Sequence, residues 1–240
     1  MRGGTVLHKA HLAPSSRYSE DIDLVLTKPM DQDTLEKHLI RVLTPILGTP
    51  SPSVIADAWL ALRNVIRPSR ILRVVFKFIP LGLQRDETIK VEVNLNEHQA
   101  LYPFVMVDFL TLDEEGEAVT AQARSYDINE MLGTKTRALM QRKQGRDLYD
   151  LSHAWEQSEA NVTPYIVDGK KTIEAFEWYL HNEGTTMGAQ EAKQLLAAHL
   201  KDPGFRGDME TLLRPGLAKF NVDAAAGIVR TAYLKHLTNA

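Results

Sequence analysis

Apolar positions recur at two different periods along this chain, and the change from one to the other divides it. Between Glu87 and Asn96 the alternation is strict. Ile89, Val91, Val93 and Leu95 fall on one face and Lys90, Glu92 and Asn94 on the other, which predicts a half-buried strand. Residues 72–79 and 104–112 read as further strands, and Ile22, Leu24, Val25 and Leu26 as another that turns Asp21 and Asp23 the opposite way. Helical spacing first follows Gly3-Gly4-Thr5, where Val6, Leu7 and Ala10 form an apolar run. Asp33, with Glu36 three residues on, predicts a capping box and a helix over 35–47. After a Pro- and Ser-rich loop at 48–53, residues 54–66 predict a second helix stopped by Pro68. From Asp127 the pattern stays helical, with Leu148, Leu151 and Trp155 as one buried stripe and further stretches at 169–181, 188–200, 205–213 and 222–237. The expected class is α+β: a mixed sheet with flanking helices over 1–120 and a helical region over 121–240.

Against this pattern the acids of the first strand stand out. Asp21 and Asp23 share a face, and two like charges held close together are unfavourable unless a cation neutralises them. Hard oxygen ligands of this kind suit Mg²⁺ or Mn²⁺ bridging to substrate phosphates. If the 87–96 strand is the neighbour, Glu92 joins them as a third carboxylate; taken alone it is an ordinary polar face. A glycine-rich turn opening a helix presents N–H groups to phosphate, and Thr5 either caps that helix or touches the anion. The chain carries its own comparison, because Asp31-Gln32-Asp33 has the same spacing but sits at a helix start.

Composition narrows the chemistry. The 240 residues, 44% of them hydrophobic, can bury a sizeable core, and the absence of cysteine leaves carboxylate, imidazole and water as metal ligands. Uncharged apolar runs are far too short to span a membrane, and no signal-peptide pattern opens the chain, so the expected location is the cytoplasm. A net charge of −3 excludes a generally basic coat, so any contact with nucleic acid falls to local patches. Two acid-free basic stretches exist: one holds Arg63, Arg67, Arg70, Arg73, Lys77 and Arg85, the other Lys135, Arg137, Arg142, Lys143 and Arg146. Lys135, Arg142 and Arg146 share a face only if one helix runs unbroken past Gly145. In Arg146-Asp147-Leu148-Tyr149-Asp150-Leu151 the two acids either belong to a site, or Arg146 and Asp150 form an i,i+4 pair on an exposed helix.

Together Gly3-Gly4-Thr5, Arg17-Tyr18-Ser19-Glu20-Asp21-Ile22-Asp23-Leu24, Glu92, Lys135 and the 146–151 motif resemble the AbiEii family of nucleotidyltransferase toxins, whose fold is similar to that of DNA polymerase beta. The resemblance implies a transferase that binds Mg²⁺ and a nucleoside triphosphate (NTP) and moves the nucleoside monophosphate to an acceptor. In the family that acceptor looks like the tRNA 3′ end, so translation is blocked, and a cognate antitoxin is the partner. It also implies roles: Asp21 and Asp23 as metal ligands with Glu92 beside them, Gly3, Gly4, Thr5 and Ser19 around the triphosphate, Lys135 and Arg146 as phosphate-binding cations, and Asp150 as a catalytic-site carboxylate. Family members carry a helix and a first sheet strand before the glycine pair, where this sequence has Met1-Arg2, so an open sheet edge is expected. Two rivals remain open: a small-molecule, antibiotic-modifying nucleotidyltransferase using the same acids, and a degenerate member that only binds nucleotide or partner.

Overall fold

The computed structural model describes residues 1–238 apart from 20, 53, 63–64, 80–84 and 113–115, and between 54 and 70 it describes backbone alone. The chain opens with α1 (Gly3–Val6), continued by a π-helical turn over Leu7–His11, and then enters β1 (Asp21–Val25). Helix α2 (Gln32–Leu47) follows, then β2 (Thr49–Pro50), β3 (Val54–Leu62), β4 (Val65–Phe78) and β5 (Glu87–Asn94). These strands form one mixed sheet in the order β1-β5-β4-β2, with β3 also on β4.

Alternation of side chains gives the sheet two unlike faces. One carries Ile22, Leu24, Leu72, Val74, Phe76, Val91 and Val93, which pack under Leu35, Leu39, Leu43 and Leu47, the four-residue stripe of α2. The other carries the acids. Strand β1 runs parallel to β5 with Asp23 opposite Glu92, and β4 runs antiparallel to β5 with Arg73 opposite Glu92. The free side of β1 meets Arg2 in a single antiparallel bridge, with the Arg2 amide donating to the Asp23 carbonyl at 3.0 Å.

A hairpin, β6 (Val105–Leu112) with β7 (Ala118–Ser125), leads to the helices α3 (Ile128–Gln141), α4 (Gly145–Glu159), α5 (Gly169–Asn182), α6 (Ala189–His199), α7 (Pro203–Gly207) and α8 (Val222–Ile228). Their core is continuous with the N-terminal helix: Val6, Leu7 and Leu12 pack with Leu132, Leu148, Phe176 and Tyr233. Helix α3 lies close to α5 because Gly133 admits it, since a Cβ there would fall 2.7 Å from the Ala175 Cβ.

Three expectations change, and one strand was missed. Residues 54–62 form a strand rather than a helix, paired with β4 from Val54↔Arg73 to Leu62↔Val65; a short apolar run carries no period that distinguishes the two. Pro68 does not end an element, because it lies on β4 beyond the reach of β5, where one side of the strand makes no ladder with it. The cap of α2 is Asp31, whose carboxylate accepts from the Thr34 amide at 3.0 Å, so the helix starts earlier than an Asp33 cap allows. Strand β7 was not legible as one, its residues being mostly exposed. The side chains of Arg63, Arg67 and Arg70, and the 113–115 part of the acidic turn, lie outside the described residues.

Two enclosed histidines make the fold acid-sensitive. Burial pushes His11 from 6.5 down to about 4, against the pull of Asp127. Burial, with the neighbouring His8, does the same to His153, also to about 4. Both stay neutral in the fold while the unfolded chain takes up their protons below about 6.5, so their contribution is present at neutral pH and lost as pH falls from 6.5 towards 4. The melting temperature should therefore drop steeply over that window, and His11→Gln with His153→Gln should flatten the slope; equal slopes in variant and parent would refute it.

Candidate active site

The acidic face of the sheet forms the floor. Asp21, two-fifths exposed, pairs with Lys90 opposite it on β5 at 3.0 Å, and Glu92 accepts from the Arg73 Nε at 2.6 Å. Asp23 is more enclosed. Burial pushes its carboxyl up, Arg2 and Lys135 pull it down, and Glu92 and Asp21 push it further up. Over these acids stands the glycine pair, and close approach explains it. Gly3 has φ +84°, and any Cβ there would run into the Asp23 carboxylate. At Gly4 a Cβ would lie 2.6 Å from the Arg17 Nη2 and 2.9 Å from the Ser19 Oγ. Thr5 holds the following turn by donating to the Asp21 carbonyl and meeting the Ser19 hydroxyl at 2.9 Å.

The roof comes from α3 and α4. The chain breaks between them at Arg142, whose φ −137° and ψ 146° are extended, and α4 restarts at Gly145. Asp150 is wholly enclosed. Arg17 grips it with two bonds, Nε to Oδ1 at 2.7 Å and Nη2 to Oδ2 at 2.8 Å. Lys135 Nζ adds a contact at 2.7 Å, and the His8 Nε2 donates at 2.7 Å. Burial opposes the charge on Asp150, but Lys135, Arg17 and His8 hold its carboxyl well below the usual range. Burial likewise lowers the pKa of His8 despite Asp150, and because the ionised Asp150 can only accept, the His8 Nε2 carries the proton between them. One turn earlier, Asp147 accepts from Arg142 at 2.8 and 2.9 Å and faces Lys135 at 3.4 Å. The surface pairing of Arg146 with Asp150 is therefore excluded: both acids of the motif point inward, and the Arg146 Nε bonds to Gln144 at 3.1 Å.

Floor and roof enclose a cavity of about 150 Å³ lined by Gly4, Ser19, Asp21, Asp23, Glu92, Lys135 and Arg146. Of the predicted residues, Gly3 opens onto an adjoining cavity, Thr5 lies behind Ser19, and Asp150 reaches the space only through Arg17 and Lys135. Sequence reading missed Arg17 and Arg142, which also line the cavity. Arg17 sits two residues before Ser19 in the motif, but nothing local said that its fork would close on a residue 133 positions away.

Among the described residues no three His, Asp or Glu side chains gather closely enough to hold a metal by themselves. Asp21 and Asp23 nevertheless fit a divalent cation: two hard carboxylates share one face, and burial with like charge already disfavours the ionised form of Asp23. Glu92 shares the cavity but is turned to Arg73.

The sequence matches the family described as Nucleotidyl transferase AbiEii toxin, Type IV TA system, over residues 1–225. This chain belongs to the AbiEii family. It is a nucleotidyltransferase of toxin–antitoxin type, which brings an NTP as substrate and a cognate antitoxin as partner. Among solved structures it is similar in fold to MenT4, a nucleotidyltransferase toxin from Mycobacterium tuberculosis, with a TM-score of 0.61 at 17% identity over 98% of this chain and 75% of that one. It is also similar to JHP933 from Helicobacter pylori, with a TM-score of 0.50 at 16% identity over 98% and 82%. No curated protein matches it. No helix among the described residues is long and apolar enough to cross a membrane.

Burial of Asp150 sets the expected outcome of removing its charge. Asp150→Asn leaves Arg17 enclosed without its bonded counter-charge and Lys135 with Asp147 alone, which costs about 3–5 kcal/mol. It also loosens two cations lining the cavity, so transfer should fall by about 10² or more. Urea unfolding and initial rates on one preparation check both, and a variant with parental rate would free the AbiEii site from dependence on this carboxylate.

Proposed function

We propose that this AbiEii enzyme transfers a nucleoside monophosphate from an NTP to an RNA 3′ end, with tRNA as the acceptor, and thereby blocks translation in the cytoplasm. The observation that carries the reading is one small cavity in which Arg17, Lys135, Arg142 and Arg146 face Asp21 and Asp23. Phosphoryl transfer asks little covalent chemistry of a protein; it asks for in-line placement and neutralised charge. A divalent cation held by Asp21 and Asp23 supplies Lewis acidity towards the phosphate oxygens and relieves the repulsion between the two acids. Arg17 and Lys135, held rigid by Asp150, neutralise the charge that builds on the departing pyrophosphate, and Arg146 adds a cation at the same cavity. Ser19 and Gly4 line the same cavity, where a hydroxyl and backbone amide can meet the triphosphate.

Incubation with each labelled NTP and total tRNA tests the reading: label should enter tRNA, with a steep salt dependence of RNA binding. Label entering an aminoglycoside-type small molecule and not RNA would move the enzyme to the antibiotic-modifying class.

The acids and the lysine give separable outcomes. Asp23→Asn should abolish transfer while thermal stability without metal holds or rises, because an enclosed carboxylate beside two others is removed. Asp21→Asn should also abolish transfer and lose its partly exposed pair with Lys90, at a cost of about 0–1 kcal/mol. Near-parental turnover in either variant would remove that residue from the metal site. Lys135→Ala should weaken triphosphate binding and slow transfer, and Lys135→Arg should recover only part, since a planar fork does not replace a point charge between Asp147 and Asp150. Kinetics unchanged in Lys135→Ala would return this lysine to a structural role.

A further inference from the structure

A second cavity, of about 330 Å³, shares the wall formed by Asp23, Glu92, Lys135 and Arg142 with the first. Strand register orders the two. The first cavity reaches Asp21, the shared wall holds Asp23 opposite Glu92, and the second reaches Asn94, which pairs with Val25. At about 3.3 Å per residue the run from Asp21 to the Asn94 level covers about 13 Å, the scale of one nucleotide laid along the strands.

The two cavities differ in charge economy. The first is lined by four cations, Arg17, Lys135, Arg142 and Arg146, and three carboxylates, Asp21, Asp23 and Glu92. In the second, the outer charges cancel among themselves: Glu97 pairs with Arg2 and with Arg137 at 2.9 Å, and Arg137 pairs with Glu183 at 2.8 Å. Arg2 and Arg137 outweigh burial and hold the Glu97 carboxyl down at about 2, so that pairing persists at any physiological pH. What remains is neutral. Thr134, Ala138 and Gln141, at i, i+4 and i+7 of α3, present one half-buried stripe opposite Ile71. Gln141 lines the chamber while its amide nitrogen donates to Glu183 at 3.2 Å, so the acceptor it has to offer a ligand is its carbonyl oxygen.

We propose that this second chamber receives the nucleoside of the NTP, and that Gln141 reads the base by accepting a hydrogen bond from an exocyclic amine. The inference rests on placing the triphosphate in the first cavity. It goes further by giving the enzyme a base preference: cytosine over uracil, which differ in amine against carbonyl at one ring position. A uracil carbonyl set against the Gln141 oxygen leaves both acceptors without a donor.

Equilibrium binding of CTP, UTP and inorganic tripolyphosphate, each with Mg²⁺, tests this on the purified full chain. Wild type should bind CTP about tenfold more tightly than UTP, the worth of one such hydrogen bond. Gln141→Leu should bring the two within about twofold while tripolyphosphate affinity is unchanged. Ala138→Phe, which fills the chamber, should weaken both nucleotides at least about tenfold and leave tripolyphosphate alone. A CTP preference that survives Gln141→Leu, or nucleotide affinity that survives Ala138→Phe, would overturn the proposal; so would an Ala138→Phe variant impaired only towards the RNA acceptor, which would make the chamber the acceptor's. If wild type fails to bind tripolyphosphate, the placement of the triphosphate fails instead, and the CTP-to-UTP ratio still decides the role of Gln141.

Discussion

Asp150 is the carboxylate on which the arrangement depends. An isolated buried charge is expensive, and this one is tolerated because three groups from separate parts of the chain converge on it: His8 from the N-terminal turn, Arg17 from the segment before β1, and Lys135 from α3. Replacing the whole cluster by apolar residues of equal volume would be the better solution for stability alone. What the cluster does is fix two cations at the wall of the cavity. Fixed by Asp150, Arg17 and Lys135 present positive charge to a cavity without reorganising when a substrate arrives, and that preorganisation is what electrostatic catalysis requires.

The same cluster explains the glycines. Arg17 passes so close to the N-terminal helix that a side chain at Gly4 would displace its guanidinium, and Gly3 gives way to Asp23 in the same manner. Before any role in meeting a phosphate, the glycine pair lets floor and roof approach each other. A substitution at either position would therefore disturb an acid or a cation directly, because the space a Cβ needs is already filled by the side chains that line the cavity.

What was legible in the sequence follows the range of the interactions involved. The β5 alternation put Glu92 on the polar face, to join Asp21 and Asp23 if the strands were neighbours, and the register meets that condition by pairing Asp23 with Glu92. Helical structure from Asp127 was readable from spacing, and of the two alternatives open at Gly145 the structure takes the broken helix. The burial of Asp147 and Asp150 was not. Locally they resemble the solvated acids of any amphipathic helix, and Asp150 is held inward by Lys135 together with two residues more than a hundred positions distant, His8 and Arg17. Strand β3 failed for the opposite reason: its apolar run is too short to show a period, and pairing with β4 decided its state.

Lys135 connects these levels, since it touches both buried acids of α4 and forms part of the wall between the two cavities. Its neighbours on α3 divide by direction. Arg137 turns to Glu97 and Glu183 and is neutralised, while Thr134 and Ala138 add a neutral stretch to the second chamber. One helix thus supplies a cation on one side of the wall and a neutral surface on the other, a division that a charge count over residues 135–146 conceals. The basic stretch is not a patch, because most of its charge is spent internally on Glu97, Glu183, Asp147 and Asp150. In a chain of net charge −3 the positive charge at the cavity beside the acids of β1 therefore comes from a few well-held groups, Arg17, Lys135, Arg142 and Arg146.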